Sequence, residues 1–211
     1  MSTTLYYSRS TASLDVHWLL IELGIPPALH ELDFVKRDQK SDDYLKLNPA
    51  GVVPTLVMDG QVITETAAIL MHLADTHPRA ELAPAVATTQ RAQYYRWMLC
   101  CANTLMPAYR AWFYADEIAG PENAEASRLH ARLKLERAWQ QVADHLEAHG
   151  PYLLGAQRSA ADFLLTMLMR WSRNMPRPTD RWPVLHAHAQ RMKALPSFRE
   201  VYGREGLTDW T

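Results

Sequence analysis

Two short stretches carry the residue types from which a ligand site can be built. In the first, Thr64-Glu65-Thr66 stands just before a run in which Ala67, Leu70, Met71 and Ala74 recur at helical spacing. A helix opening there presents hydroxyls and unpaired N–H groups at the positive end of its dipole, which is a way to hold a small anion. The Val53-Pro54 step lies shortly before it. In the second, the polar run Ser8-Arg9-Ser10-Thr11 precedes Leu14, Val16, Leu19, Leu20 and Leu23. Hydroxyls again gather at a helix start, where Ser10 or Thr11 can cap and Gly24 suits the stop. The nine histidines suggest no metal site, since His186 and His188 are two apart rather than at the i, i+4 ligand spacing. Cys100 and Cys101 are adjacent; they cannot staple distant elements and read as two positions of a helix in a reducing compartment.

The elements that must position these residues follow from pattern. Thr3–Tyr7 is β-branched and aromatic, a strand, and Ala28–Phe34 alternates like a second one after the first helix. Strand–helix–strand implies parallel pairing and a right-handed crossover. Val35–Ser41 is a charged loop, and Asp42–Leu47 is a short helix stopped by Asn48-Pro49. Asp59-Gly60 between two β-branched runs signals a hairpin, and the helix from Glu65 to His77 closes the unit at Pro78. Past a linker over 79–88, everything reads helical. Thr89–Ala119 forms one long helix bent by Pro107, and Ala124–His149 a second. Ser159-Ala160-Ala161-Asp162 has the capping-box pattern and starts a third. Trp182–Ala194 and Pro196–Tyr202 give two shorter helices before a tail. The expected organisation is an α/β unit over 1–78 and an all-helical unit over 89–211.

The bulk numbers narrow the function classes. A chain of 211 residues with 48% hydrophobic and 21% charged residues can bury a real core. A net charge of −1 provides no basic field, which excludes a phosphate-backbone binder. The N-terminal MSTTLYYSRS has neither a basic n-region nor an apolar h-region, and the apolar run Phe163–Met169 is broken by Arg170 before it reaches membrane-spanning length. A cytoplasmic protein with no membrane or nucleic-acid partner is expected.

The order of the turn at Tyr6–Ser13, NPAGVVPTL, TETAAI and SAAD resembles the cytosolic glutathione transferases, serine-type and theta-, zeta- or delta-like, over essentially the whole chain. The resemblance implies a thioredoxin-like N-terminal unit with a cis bond at Pro54, a helical-bundle C-terminal unit, a homodimer, and glutathione as co-substrate for attack on a small electrophile in detoxification. Residue by residue, it implies that Thr66 takes the γ-glutamyl carboxylate, Glu65 the ammonium, and Val53, beside Pro54, the cysteinyl backbone, like an added strand. Gln39 and Lys40 lie where relatives carry a group for the glycine carboxylate; each can equally be part of a solvated loop. Just before Val53 some relatives have His or Lys, whereas this chain has Gly51 and Val52, which makes Lys40 or Gln39 more necessary.

Catalysis in that family needs the thiol as thiolate, and a hydroxyl donating to sulfur lowers its pKa. By resemblance Ser10 takes this place, Thr11 is its neighbour candidate and Ser13 a third; the alternative is that Ser10 only caps the helix. Ala12 stands where cysteine-type relatives have Cys, which argues against a thiol–disulfide reductase. Tyr6 and Tyr7 read as strand packing. The electrophile side would come from Met106, Tyr109 and Phe113, with Asn103 and Trp112 on the same helix, or these residues are bundle core; Arg110 is an anchor for an acidic substrate or a solvated side chain. Two rival readings stand: a zeta-like glutathione-dependent cis-trans isomerase, and a non-catalytic scaffold of the same fold.

Overall fold

The computed structural model describes residues 2–211. The chain forms two compact units. One comprises the residues up to Ala83 together with Lys193–Thr211, and the other is Pro84–Met192.

The first unit is built on a four-stranded sheet of order β2-β1-β3-β4, from β1 (Thr3–Tyr7), β2 (Ala28–Glu31), β3 (Thr55–Met58) and β4 (Gln61–Thr64). β1 and β2 run parallel around α1 (Ser13–Glu22), whereas β3 lies antiparallel to both β1 and β4. This is the thioredoxin-like arrangement that the resemblance implied. The hairpin is as the sequence predicts: Asp59 and Gly60 both have positive φ, +47° and +82°, the handedness that matches the twist of the flanking strands. β2 ends earlier than expected. Asp33 Oδ1 accepts the N–H groups of Val35 and Lys36, a local turn that competes with continued strand pairing. α2 (Asp42–Leu47) is capped by Ser41, and α3 (Thr66–Thr76) follows β4. Leu5, Val16, Leu19, Leu20, Leu56, Ile69, Leu70 and Leu73 are fully buried between sheet and helices, each stabilising by about 1.5–3 kcal/mol of transfer free energy. The Val53–Pro54 and Gly150–Pro151 bonds are cis.

The second unit is helical: α4 (Thr89–Cys100), α5 (Met106–Phe113), α6 (Ala115–Ala119), α7 (Ala124–His149), α8 (Ala160–Trp171) and most of α9 (Pro183–Lys193). The single long helix expected over Thr89–Ala119 is three pieces. A π-turn at Cys101–Leu105 interrupts it, and Pro107 at the opening of α5 lacks the N–H that would continue the ladder. α8 is buried on every face from Ala160 to Arg170, so its start matters. There the Ser159 N–H and hydroxyl both donate to Asp162 Oδ2, at 2.7 and 3.0 Å, and Leu153 N–H donates to Asp162 Oδ1 at 2.8 Å. The capping box predicted from SAAD is present.

The C-terminus departs from the expected division. α10 (Pro196–Glu205) groups with the first unit, not the helical one. Trp18 Nε1 donates to Ser197 Oγ at 2.9 Å, Ser197 Oγ is bonded to Glu22, and Phe198 sits edge-on to Trp18 at 5.2 Å. α10 is thereby packed along α1. It also runs three residues beyond the predicted Tyr202, stopping where Gly206 takes φ +65°.

Candidate functional site

Strand register decides which loops meet. Tyr6 lies opposite Thr55, Thr55 opposite Thr64, and Tyr7 alongside Glu31. The turn after β1, the Val53–Pro54 corner before β3, the Glu65–Thr66 start after β4 and the loop after β2 therefore all leave the sheet at one end. It is the carboxyl end of the parallel pair, where open α/β sheets commonly bind ligands.

At that end α3 opens with its first N–H groups unpaired by the helix, since Ile69 N–H is the donor that reaches the Glu65 carbonyl. Glu65 occupies the N-cap position with φ +68° and ψ +114°, and its side chain makes no capping bond. Such a backbone costs a non-glycine residue about 1–3 kcal/mol and is held only where the surroundings require it. The Glu65 carboxylate is exposed, while Thr66 is buried at 3%. Helix capping by Glu65 is thus absent, leaving both its charge and the helix end available.

The Val53 side chain packs with Leu32 and Tyr44 in the core, so only its backbone is available to a ligand. That backbone is pinned by two residues sequence reading missed. Tyr44 O–H donates to the Val52 carbonyl at 2.6 Å, and Asn48 Nδ2 donates to the same oxygen at 2.8 Å. Both also bond Thr55 Oγ1, at 2.8 and 3.1 Å. Burial raises the Tyr44 phenol above its ordinary pKa, which keeps its proton in place. The only signal in the sequence was Asn48-Pro49, which read as a helix stop.

Lys40 lies over the loop before Val53. Its Nζ donates to the Ala50 carbonyl at 3.1 Å, and a Cβ at Gly51 would stand 2.6 Å from that nitrogen. Gly51 has φ +60°. The ammonium thus occupies the space that a larger residue 51 would fill. Gln39 carries no charge; its Oε1 is buried without a partner among the described residues, and its Nε2 amide is a donor that a carboxylate can use.

The turn after β1 sorts the three hydroxyl candidates. α1 starts at Ser13, with Ala12 as its N-cap and no side-chain capping bond; Ser10 is not the helix cap. Thr11 Oγ1 donates to the Ser8 carbonyl at 2.7 Å, Ser13 Oγ donates to the same carbonyl at 2.9 Å, and the two hydroxyls lie 2.8 Å apart. Each has one hydrogen, and both hydrogens are engaged in folding the turn. Ser10 itself has φ +63°, is half-buried, and donates its N–H to Glu205 Oε2 at 3.2 Å. Tyr6 and Tyr7 pack as expected. Tyr6 sits against His30 and Tyr44, and Tyr7 O–H donates to Glu31 Oε2 at 3.3 Å. Burial first, and then the Glu31 charge, push the Tyr7 phenol upward, away from any role as an acid near neutrality.

The expected electrophile residues divide. Tyr109 is fully buried, accepts from Trp139 Nε1 at 3.2 Å, and stacks on Phe113 at 5.9 Å; it is a packing residue of the helical unit, not a lining residue. Phe113 is 47% exposed and Met106 half-buried. Trp112 is half-buried and Asn103 exposed. Arg110 lies over the Tyr114 ring at 5.0 Å, on the exposed face.

Comparison with known proteins places the fold in a family. The glutathione S-transferase N-terminal domain pattern matches residues 9–76, which include every loop at the sheet end described above. Glutathione S-transferase GST-4.5 of Xanthomonas campestris pv. campestris is 33% identical over 205 residues, spanning 96% of this chain and 98% of that one. A maleylacetoacetate isomerase of Dictyostelium discoideum is 28% identical over 94% of this chain and 92% of its own. The crystal structure of a glutathione transferase homologue from Sulfitobacter, with bound glutathione, superposes with a TM-score of 0.86 at 28% identity, covering 98% of this chain and 99% of that one.

Proposed function

The chain belongs to the glutathione S-transferase family, and on that premise we propose that it binds glutathione and conjugates it to a small electrophilic molecule. The observation that carries the reading is the shared sheet end, where an unpaired helix start, an uncapped Glu65, a pinned Val53 backbone and the Lys40 ammonium stand together. These groups match the tripeptide end by end. The N–H groups of α3 and the Thr66 hydroxyl suit the γ-glutamyl carboxylate, and Glu65 the ammonium beside it. Val53, before Pro54, offers its backbone to the cysteinyl unit. Lys40 and the Gln39 amide beside it take the glycine carboxylate.

Ser10 is the activating hydroxyl in this reading, the place that the family resemblance gives it at the turn before α1; the Thr11 and Ser13 hydroxyls donate to the Ser8 carbonyl. An O–H donated to the glutathione sulfur favours the thiolate, and each unit by which the thiol pKa falls corresponds to about 1.4 kcal/mol. The electrophile would meet Met106 and Phe113. Homodimerisation is supported by exposed apolar pairs at i, i+4 spacing, Tyr95 with Leu99 and Leu129 with Leu133. A cytoplasmic, detoxifying role fits Cys100 and Cys101, neither of which is in a disulfide.

A second enzymatic reading, isomerisation, draws on the Dictyostelium relative and on Arg9-Ser10-Thr11-Ala12-Ser13, but Ala12 replaces that class's Cys. Retention on immobilised glutathione, then parallel assays of conjugation to a chloronitrobenzene and isomerisation of maleylacetoacetate, separates these. Conjugation with little isomerisation supports the transferase; the opposite ratio favours the isomerase. Binding with neither activity leaves a glutathione-binding scaffold, and no retention and no turnover would sink the enzyme reading.

A further inference from the structure

Ser10 stands in a left-handed backbone conformation, φ +63°, that its own side chain does not favour. Something outside the turn has to hold it. The Ser10 N–H donates to Oε2 of Glu205, the last residue of α10, at 3.2 Å. The other oxygen, Oε1, lies 3.0 Å from Nδ1 of His17 on α1, and both side chains are completely buried. A carboxylate accepts, so the hydrogen of this bond sits on His17 Nδ1.

A buried carboxylate is tolerated only when its oxygens are satisfied. Docking α10 onto α1 does not require this one. The Trp18–Ser197 bond, the Ser197–Glu22 bond and the Trp18–Phe198 ring contact already fasten the two helices near the other end of α10. What Glu205 adds is a direct bond to the Ser10 backbone, across 195 positions of sequence. The neighbouring Arg9 is held separately by a two-point pairing with Glu31 of β2, at 2.8 and 3.1 Å. Two consecutive residues of the turn are thus each tied to a glutamate, Arg9 to Glu31 and Ser10 to Glu205.

We propose that Glu205, oriented by His17, is a positioning residue that fixes the Ser10 turn for thiol activation. The proposal rests on Ser10 being the activating hydroxyl. Without the clamp, Ser10 relaxes toward ordinary negative φ and its hydroxyl loses its fixed direction. Glutathione binding, carried by Val53, Glu65, Thr66 and Lys40, should then be little changed.

The test measures kcat and KM for conjugation of glutathione to a chloronitrobenzene, and the pH titration of the bound thiolate by its ultraviolet absorbance. The variants are Ser10→Ala, Glu205→Ala, Glu205→Gln and Ser197→Ala. Glu205→Ala should lower kcat about tenfold and raise the apparent thiol pKa by about one unit, with KM for glutathione moving less than about threefold. Glu205→Gln, which keeps an acceptor for the Ser10 N–H, should recover most of the loss and remains informative if the alanine variant does not fold. Ser197→Ala loosens α10 elsewhere and should leave kcat and the thiolate titration as in the wild type. The proposal is overturned if Glu205→Ala folds and keeps wild-type kcat and thiolate titration, or if Glu205→Gln is as impaired as Ser10→Ala. Should Ser10→Ala itself change neither kcat nor the thiolate titration, the underlying reading of Ser10 fails and the clamp falls with it.

Discussion

In the proposed reading Glu65 and Thr66 do different work at the start of α3, and substitution should separate them. Glu65→Gln keeps shape and backbone but removes the charge that would meet the ammonium; a charge-assisted bond of about 1.5–3 kcal/mol corresponds to a loss of glutathione affinity of roughly ten- to a hundredfold. Thr66→Ala removes one neutral hydroxyl and should cost about 1 kcal/mol, or fivefold, whereas Thr66→Ser should bind as the wild type does. Calorimetric titration with glutathione checks both; equal affinities for wild type and Glu65→Gln would show that the ammonium lies elsewhere. Asp15 makes a second prediction at this scale. It is fully buried in α1, neither oxygen has a partner among the described residues, and burial raises its pKa well above the ordinary 3.8. An acid whose folded pKa is raised stabilises the fold fully only below its unfolded pKa, and that stability is lost as pH rises from 3.8 toward the folded value. Asp15→Asn should therefore melt higher than the wild type at neutral pH, with the gap closing as the pH falls toward 3.8. A gap independent of pH would mean that Asp15 is not held protonated.

At the scale of elements, Gly51 and Lys40 act together. Gly51→Ala places a methyl 2.6 Å from Lys40 Nζ on a backbone with φ +60°, so the lysine must move and the loop is strained by about 1 kcal/mol. Glutathione affinity should fall about two- to fivefold, the worth of an exposed charge pair, while affinity for γ-glutamylcysteine, which lacks the glycine carboxylate, should hold. Equal losses for both ligands would remove Lys40 from the site. Elements with local signals were legible in the sequence. The hairpin followed from Asp59-Gly60, α3 from its hydroxyl-bearing start, and α8 from Ser159 and Asp162. What was not legible is non-local or a question of direction. Helical spacing marked Tyr109 as lying on a face but not which face, and it turned out to be core. The end of β2 was set by an Asp33 side chain competing for backbone N–H groups, and the break at Cys101–Leu105 by a π-turn that composition does not announce.

At the scale of the molecule, the largest departure from expectation is the return of α10 to the first unit. The bonds that hold it there join residues 175 to 195 positions apart, Ser197 to Glu22, His17 to Glu205 and Ser10 to Glu205, a distance over which no sequence period carries information. The proposed binding residues Val53, Glu65 and Thr66 could nonetheless be picked out together, because one short hairpin delivers them all. In the second unit the stability rests heavily on Asp162. Its replacement by Ala leaves the Leu153 and Ser159 N–H groups buried without their acceptor, at about 1–3 kcal/mol each. Thermal unfolding followed by tryptophan fluorescence should show the second unit, which contains Trp97 and Trp139, melting several degrees earlier; an unchanged melting curve would contradict the role of the cap. The proposed activity requires that the first unit make glutathione reactive. Its most direct measurement is steady-state conjugation of glutathione to a chloronitrobenzene near neutral pH by the wild type and Ser10→Ala. The wild type should turn over and the variant should lose about tenfold or more in kcat at little-changed glutathione affinity; no wild-type turnover, or a variant as fast as the wild type, would contradict a transferase activated by Ser10.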